Sequence, residues 1–360
     1  MLTRVKYHQR WLQCLKAAHA NDAFAPHVSV RYREGARYVS VSQPTAAGAL
    51  DISPDGTANT TIASPHFTSL LQRRHGLDLS VAKAVCDADE ADGLLVDRKG
   101  DGFANGYTVA GEGSDKVPTE HNRRHNAVVK KTYHMLSAVA IGPVVLGDKE
   151  KPESTADLNA GHVVDLAEIG GDDDTGADSL YECKVPSPLT KKYSAGKGSH
   201  KGKYAGSGTC QSVGHRFAGG NTEERYLLQI FGTKTKGRRR DGPFNHETGR
   251  GFVAGREGDY HDACVVKKNR VTMVLVETTG AINRRTVGSI AYLSRRARGK
   301  WARDSTNYGS SRTSARTFFA HHAQQLSVAA AIGDVKGIHR AVQVRKQQRC
   351  CGGGATVPAA

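Results

Sequence analysis

The sequence predicts an α/β fold: a mixed β-sheet flanked by helices, with helical extensions before and after it. Three observations carry this expectation. Five short aliphatic runs have strand length and β-branched content: "PVVLG" (143–147), "HVVDLAEI" (162–169), "SLYECKV" (179–185), "YLLQIFG" (226–232) and "VTMVLVETT" (271–279). Segments with helical spacing precede and follow them, at 66–88, 118–140, 286–299 and 313–333. The run from Val271 to Val276 is apolar on both faces, which predicts a central strand covered on both sides.

Taken in order, residues 1–62 are expected to form a loosely structured extension. Its opening, "MLTRVKYHQRWLQCLKAAHA", carries four Lys or Arg in the first sixteen residues and no acid before Asp22. An amphipathic helix fits, with an organellar transit peptide as the alternative. Residues 21–62 are rich in Ala, Ser, Thr, Pro and Gly and lack periodicity. Residues 63–115 form a helical and loop segment: a helix from His66 broken near Gly76, then the glycine-rich loop "DRKGDGFANGYTVAGEGSDK". Asp97 and Asp101 of that loop lack the acid alternation and closing glutamate of a calcium loop.

The α/β core is expected over 116–340. It opens on a helix capped by Thr119, with Glu120 in the first turn and Val128, Thr132, Met135, Leu136 and Val139 along one stripe. Arg123, Arg124, Lys130 and Lys131 lie largely off that stripe and read as a solvated basic face. Residues 341–360, ending in "RCCGGGATVPAA", read as a disordered basic, glycine-rich tail.

Composition narrows the function classes. Lys and Arg number 51 against 35 Asp and Glu, a net charge of +16 with a pI near 9.6. Such a balance predicts a polyanionic partner, nucleic acid, with DNA ahead of RNA. No apolar run approaches the roughly 20 residues of a membrane span. The seven cysteines are scattered, odd in number and without a CxxC pair, which fits a reducing, intracellular compartment, nuclear or cytoplasmic.

The chemistry sits in "HVVD" and "YECK". The turn "GGDDDTGAD" joins their strands as an antiparallel hairpin. A turn centred between Asp173 and Asp174 places Asp165 opposite Glu182, with Glu182 and Lys184 on that face and Cys183 on the other. Two facing carboxylates repel unless a positive charge intervenes. Lys184 supplies part of it. A divalent cation, Mg²⁺ or Mn²⁺, supplies more, with Asp165, Glu182 and the carbonyl of Cys183 as oxygen ligands. Lys184 is then placed to orient a water or stabilise charge on a phosphate. The bland alternative is a structural ion pair between Asp165 and Lys184, with Glu168 and the loop aspartates solvated.

The ExK triplet in one strand and an acid in the strand before it resemble the PD-(D/E)xK nuclease superfamily, the restriction-endonuclease-like fold. Val164 stands where that motif usually has proline. The segments "HNRRHNAVVKKTYHMLSAVA", "DLNAGHVVD", "YECKVPSPLTKKYSAGKGS" and "VGHRFAGGNTEERYLLQIFGTKTKGRRRDGPF" are similar to nuclease-like domains of algal and protist mobile-element proteins. The "RRHN" helix is also similar to the endonuclease of some non-LTR retrotransposons. This resemblance spans about 64–340. It implies Asp165 and Glu182 as metal ligands, Lys184 as catalytic lysine, and an acid from the preceding helix, for which Glu120 is the candidate. His125 and His162 are candidates to assist at the site, with a packing or hydrogen-bonding role as the alternative.

After the triplet, no acid occurs between Lys191 and Asn221, and Lys191, Lys192, Lys197, Lys201 and Lys203 alternate with Gly, Ser and Tyr. Such a loop suits a phosphate backbone, as do Arg238, Arg239 and Arg240 and the "RRARGKWAR" patch. A solvated basic surface is the alternative for any one of them. Glu223, Glu224, Asp262 and Glu277 are read as structural. The resulting expectation is a Mg²⁺-dependent endonuclease of mobile-element origin. The alternatives are an inactive nucleic-acid-binding remnant and a basic α/β interaction protein. Oligomeric state is left open, a dimer included.

Overall fold

The computed structural model describes residues 37, 40–41, 43–51, 62–91, 98–100, 103, 120–147, 164–172, 175–187, 226–227, 230–232, 235, 237–242, 251–252, 254–255, 257–301 and 317–350. Four strands form one mixed sheet: β1 (Val144–Leu146), β2 (Leu166–Glu168), β3 (Ser179–Lys184) and β4 (Arg270–Leu275), in that spatial order. The β1–β2 and β2–β3 pairs are antiparallel, and β3–β4 is parallel. A parallel neighbour needs a long crossover, here the chain between Lys184 and Arg270. The α/β architecture with a mixed sheet is therefore the one the sequence predicts.

Five α-helices of more than four residues are described: α1 (Ser64–Arg74), α2 (Lys83–Ala91), α3 (Glu120–Ser137), α4 (Arg284–Trp301) and α5 (Phe318–Cys350). The break expected near Gly76 is present, with Gly76 at φ 65° closing α1. One core lies between the sheet and α3, α4 and α5, built on Leu166, Tyr181, Cys183, Val274, Leu136, Ile290 and Leu326 among others. The opposite sheet face buries Ala167, Leu180, Met273 and Leu275 against Ile230, Tyr260 and Ala263. Strand alternation explains this split. Tyr181 and Cys183 face the helices, while Leu180 and Glu182 face the other way.

Four expectations are corrected. The "YLLQIFG" segment is helical at 226–227 and 230–231. Tyr226, Leu227 and Ile230 fall at helical spacing on the second core, which leaves Phe231 exposed. The strand at Val271–Val276 is not central. β2 and β3 are the strands paired on both sides, and β4 ends the order of described strands. Both faces of β4 are still covered, and the chain folds back along its outer edge. Asn283 N–H donates to the Leu275 carbonyl at 3.0 Å and Glu277 N–H to that of Ala281 at 2.8 Å.

The supposed tail continues α5 to Cys350. Ile338, Ala341 and Val342 are buried against Leu79, Val85, Cys86 and Phe103. Arg345 and Arg349 reach the buried Asp89 at 3.1 and 2.6 Å. The N-terminal extension is ordered where it meets α5. Its turn Pro44–Ala47 runs into Gly48–Asp51, and a Cβ on Gly48 would come 2.8 Å from Ser327 Cβ.

Charged groups tie the layers together. Buried Asp334 of α5 accepts from Arg73 of α1 and Arg124 of α3, both at 2.7 Å. Arg124 is thus not on a solvated face: the carboxylate of Asp334 offsets its desolvation. Glu168 is likewise fully buried, not solvated; Arg296 of α4 and the N–H of Ile141 bond it.

Candidate functional site

The hairpin register is the one the sequence predicts. Leu166 pairs with Tyr181, Ala167 with Leu180 and Glu168 with Ser179, which puts Asp165 next in line opposite Glu182. β2 stops one residue short of Asp165. There the side chain takes over from the backbone. Cys183 N–H donates to Asp165 Oδ2 at 2.7 Å, while the Asp165 carbonyl accepts from Gly147 at 3.1 Å. The substitution of a carboxylate for a ladder acceptor holds Asp165 against β3.

Glu182 is buried, and Lys184 beside it is part-exposed. Lys184 Nζ donates to Glu182 Oε1, and the Tyr260 hydroxyl donates to Glu182 Oε2. Lys184 Nζ also stands 5.9 Å from the centre of the Tyr226 ring. Burial raises the pKa of Glu182, and the charge of Asp165 raises it further. The ammonium of Lys184 and the Tyr260 hydroxyl oppose this without cancelling it. Burial beside Asp165 therefore favours the protonated form of Glu182. Burial and the neighbouring Glu182 raise the Tyr260 hydroxyl, which keeps it a donor. The Cys183 thiol points into the helical core, 3.7 Å from Thr132 Oγ1, and burial raises its pKa well above the usual thiol value. Only the backbone of Cys183 faces the acids, as the alternation predicts.

Helix α3 brings His125 to this edge and takes Glu120 away from it. His125 Nε2 lies 3.1 Å from the Cys183 carbonyl oxygen and 3.3 Å from Asp165 Oδ2, and Nδ1 lies 3.3 Å from Asn126 Oδ1. Burial lowers the pKa of His125, but the hydrogen bond and charge of Asp165 outweigh it, helped by Asn126 and the Cys183 carbonyl, so the net shift is upward. Glu120 instead faces α5, where Arg340 and Arg123 bond its carboxylate. Its pKa is lowered: burial works upward, and the two guanidiniums prevail. Glu120 is an inter-helix tie, not a member of the site. Its position one turn ahead of Arg124 points it at the same partner helix.

One residue of the site escapes the sequence reading, and a second is offered there only as an assistant. Tyr260 belongs to no motif and reaches Glu182 from 78 residues away. His125 lies one turn ahead of Val128 on the buried stripe of α3, and there its ring reaches the Cys183 carbonyl of β3. Glu277 is structural as expected: fully buried, it accepts from Ser40. Arg238, Arg239 and Arg240 are exposed around the turn Arg239–Asp241, pinned by Arg238 N–H donating to Asp241 Oδ2 at 2.7 Å. Lys191, Lys192, Lys197, Lys201, Lys203, His162, Glu223 and Glu224 lie outside the described residues.

Two carboxylates and one strand carbonyl are oxygen donors of the kind a hard divalent cation takes. Among the described residues no three His, Cys, Asp or Glu side chains form a metal-holding group by themselves. The set at this edge therefore depends on the backbone oxygen of Cys183. Among the described residues no helix is long and apolar enough to cross a membrane. No family model, curated protein or solved structure matches the chain.

Proposed function

We propose that the chain is a divalent-metal-dependent nuclease that hydrolyses phosphodiesters, DNA ahead of RNA, on a restriction-endonuclease-like core of mobile-element type. The observation that carries this reading is the meeting of Asp165 with the Cys183 backbone at 2.7 Å, beside a buried Glu182 bonded to Lys184. Asp165, Glu182 and the Cys183 carbonyl would hold Mg²⁺ or Mn²⁺. The bound cation would supply an acidified water and charge stabilisation at the phosphate.

The chain's own residues do the rest. Tyr260 fixes one Glu182 oxygen and so orients the carboxylate. Lys184 is 21% exposed at its side chain, against 7% for Glu182. Its ammonium is therefore the group of this pair that can meet a scissile phosphate and stabilise its developing charge. The exposed Arg238–Arg240 turn and the net charge of +16 supply sequence-independent attraction to the backbone.

The test is nicking of supercoiled plasmid with Mg²⁺ or Mn²⁺, wild type against Lys184→Ala. Loss of one transition-state donor is expected to slow cleavage by about 100-fold or more. Equal nicking by both proteins would sink the mechanism. A second reading, a non-catalytic nucleic-acid-binding remnant, is favoured by one observation: both Glu182 oxygens already have protein donors. Salt-sensitive plasmid binding without cleavage under either metal would establish that reading instead.

A further inference from the structure

Building on the nucleic-acid part of that reading, and independent of its metal, we infer that the outer face of α4, completed by Arg270, is a track for the phosphate backbone of duplex DNA. At about 3.6 residues per turn, Arg284, Arg295, Gly288, Tyr292 and Arg285 fall within an arc of about 100°. The three arginines and Gly288 are exposed and Tyr292 is half-buried, whereas Thr286, Ile290, Leu293 and Ala297 on the opposite side are buried. Arg270 opens β4 beside this arc, with its guanidinium 4.5 Å from the centre of the Tyr292 ring. Stacking of this kind positions a guanidinium and leaves its N–H fork to bind phosphate.

These charges are placed against the stability of the helix. No Asp or Glu occurs from Arg284 to Trp301, so the arginines of α4 have no acid partner one turn away on their own helix. Arg284 and Arg285 occupy the first turn, where the helix dipole disfavours cations. Gly288 is inside the helix, where only proline is less favourable, yet a Cβ built on it would meet nothing within 4 Å. Packing thus makes no demand for glycine there, and close approach of a ligand to the helix backbone does. Arg296 shows the contrast, since it turns inward to the buried Glu168. The basic patch expected at "RRARGKWAR" therefore divides: Arg296 belongs to the core, and Arg295 joins Arg270, Arg284 and Arg285.

The track starts at the end of the sheet that carries the candidate site. Lys184 pairs with Leu275, whose carbonyl accepts from Asn283 N–H at 3.0 Å, one residue before α4 begins. The helix then runs back along β4 until Tyr292 meets Arg270 at the far end of that strand. From Arg284 to Arg295 the face is about 16 Å long at the α-helical rise. That is the length of roughly five base pairs, so the spacing suits several phosphates of one strand.

The test is fluorescence anisotropy of the full chain, without metal, against a labelled DNA duplex over a sodium chloride series. Each arginine that neutralises a phosphate contributes about 0.9 to the slope of log affinity against log salt. Arg295→Ala should lower that slope by about 0.9, and Arg284→Ala with Arg285→Ala by about 1.8, with affinity down by up to about tenfold. Lys83→Ala, which removes an exposed charge on α2, should bind as wild type does. Gly288→Leu keeps the net charge and meets open space, so it should melt at or above the wild-type temperature yet bind about tenfold more weakly. Wild-type affinity and slope in all the α4 variants would overturn the inference and leave the nuclease reading standing. An equal fall for Lys83→Ala and Arg295→Ala would also overturn it, because net charge alone would then set affinity. Weakened binding in the α4 variants, with no plasmid nicking by wild type under either metal, would keep the track and sink the nuclease. Failure of wild type to bind the duplex would sink both.

Discussion

Asp334→Ala is expected to cost the fold about 3–5 kcal/mol, the usual penalty for stranding a buried charge. Asp334 is 2% exposed and its two partners, Arg73 and Arg124, are 6% and 5% exposed. Both contacts are 2.7 Å, short charge-assisted hydrogen bonds. Removing the carboxylate leaves two guanidiniums in a region with little water. Arg73 keeps the Lys99 carbonyl at 3.0 Å, which softens the loss on that side. At about 2–4 °C of Tm per kcal/mol, the value for domains of about 150–250 residues, a drop of up to roughly 6–20 °C is expected.

Urea unfolding followed by circular dichroism reads the penalty as a fall in midpoint at unchanged slope. The triple change Asp334→Leu, Arg73→Met, Arg124→Met removes all three charges and should recover most of the loss. A single alanine variant within about 1 kcal/mol of wild type would refute the reasoning, since the charges would then be solvated or paired elsewhere.

Three further outcomes follow from named groups. Glu182 titrates above its ordinary value when folded, mainly through burial. As pH rises past the unfolded carboxyl value near 4.3, the folded state therefore holds a proton the unfolded chain has lost, and stability declines. Glu182→Gln lacks this penalty: relative to wild type it should gain stability as pH rises above the unfolded carboxyl value near 4.3 while losing cleavage, and a relative loss with rising pH in urea titrations would contradict the assignment.

His322 is pushed down to about 3 by burial, then by His321, His134 and Lys131. Its contribution is complete above the unfolded histidine value near 6.5 and is lost as pH falls toward 3, by up to about 1.4 kcal/mol per pH unit, a slope His322→Gln should flatten. Gly258→Ala would put a Cβ 2.2 Å from the Ile230 carbonyl and 2.3 Å from the Gly232 nitrogen, both backbone. It should cost about 1–3 kcal/mol and shift Tyr260 off Glu182. Gly288→Ala, with open space inside α4, should be neutral or stabilising by up to about 1 kcal/mol. Equal melts for the two alanine variants would count against the close approach at Gly258.

The α/β class, the break at Gly76, the hairpin register and the opposite facing of Cys183 and Glu182 were all legible in the sequence. Each rests on short-range rules: period-two alternation, helical spacing, a turn between two runs, a glycine where φ is positive. Such rules act within a few residues and leave their pattern in the string.

What the tertiary structure decided was which charges meet. Glu120 and Glu182 are both acids at element ends or on strands, yet one finds Arg340 and the other Tyr260 and Lys184. Arg124 looks like a surface residue on a helical wheel and becomes buried only because Asp334 arrives from 210 residues away. Helix α5 runs on through the expected tail because α2, Leu79 and Phe103 cover it. His125 comes to the site because α3 overshoots the end of β2. Local periodicity shows that a face is apolar, but which partner covers it is set by long-range packing. The polar groups at the margin of each face are therefore the part of the sequence that periodicity leaves unread.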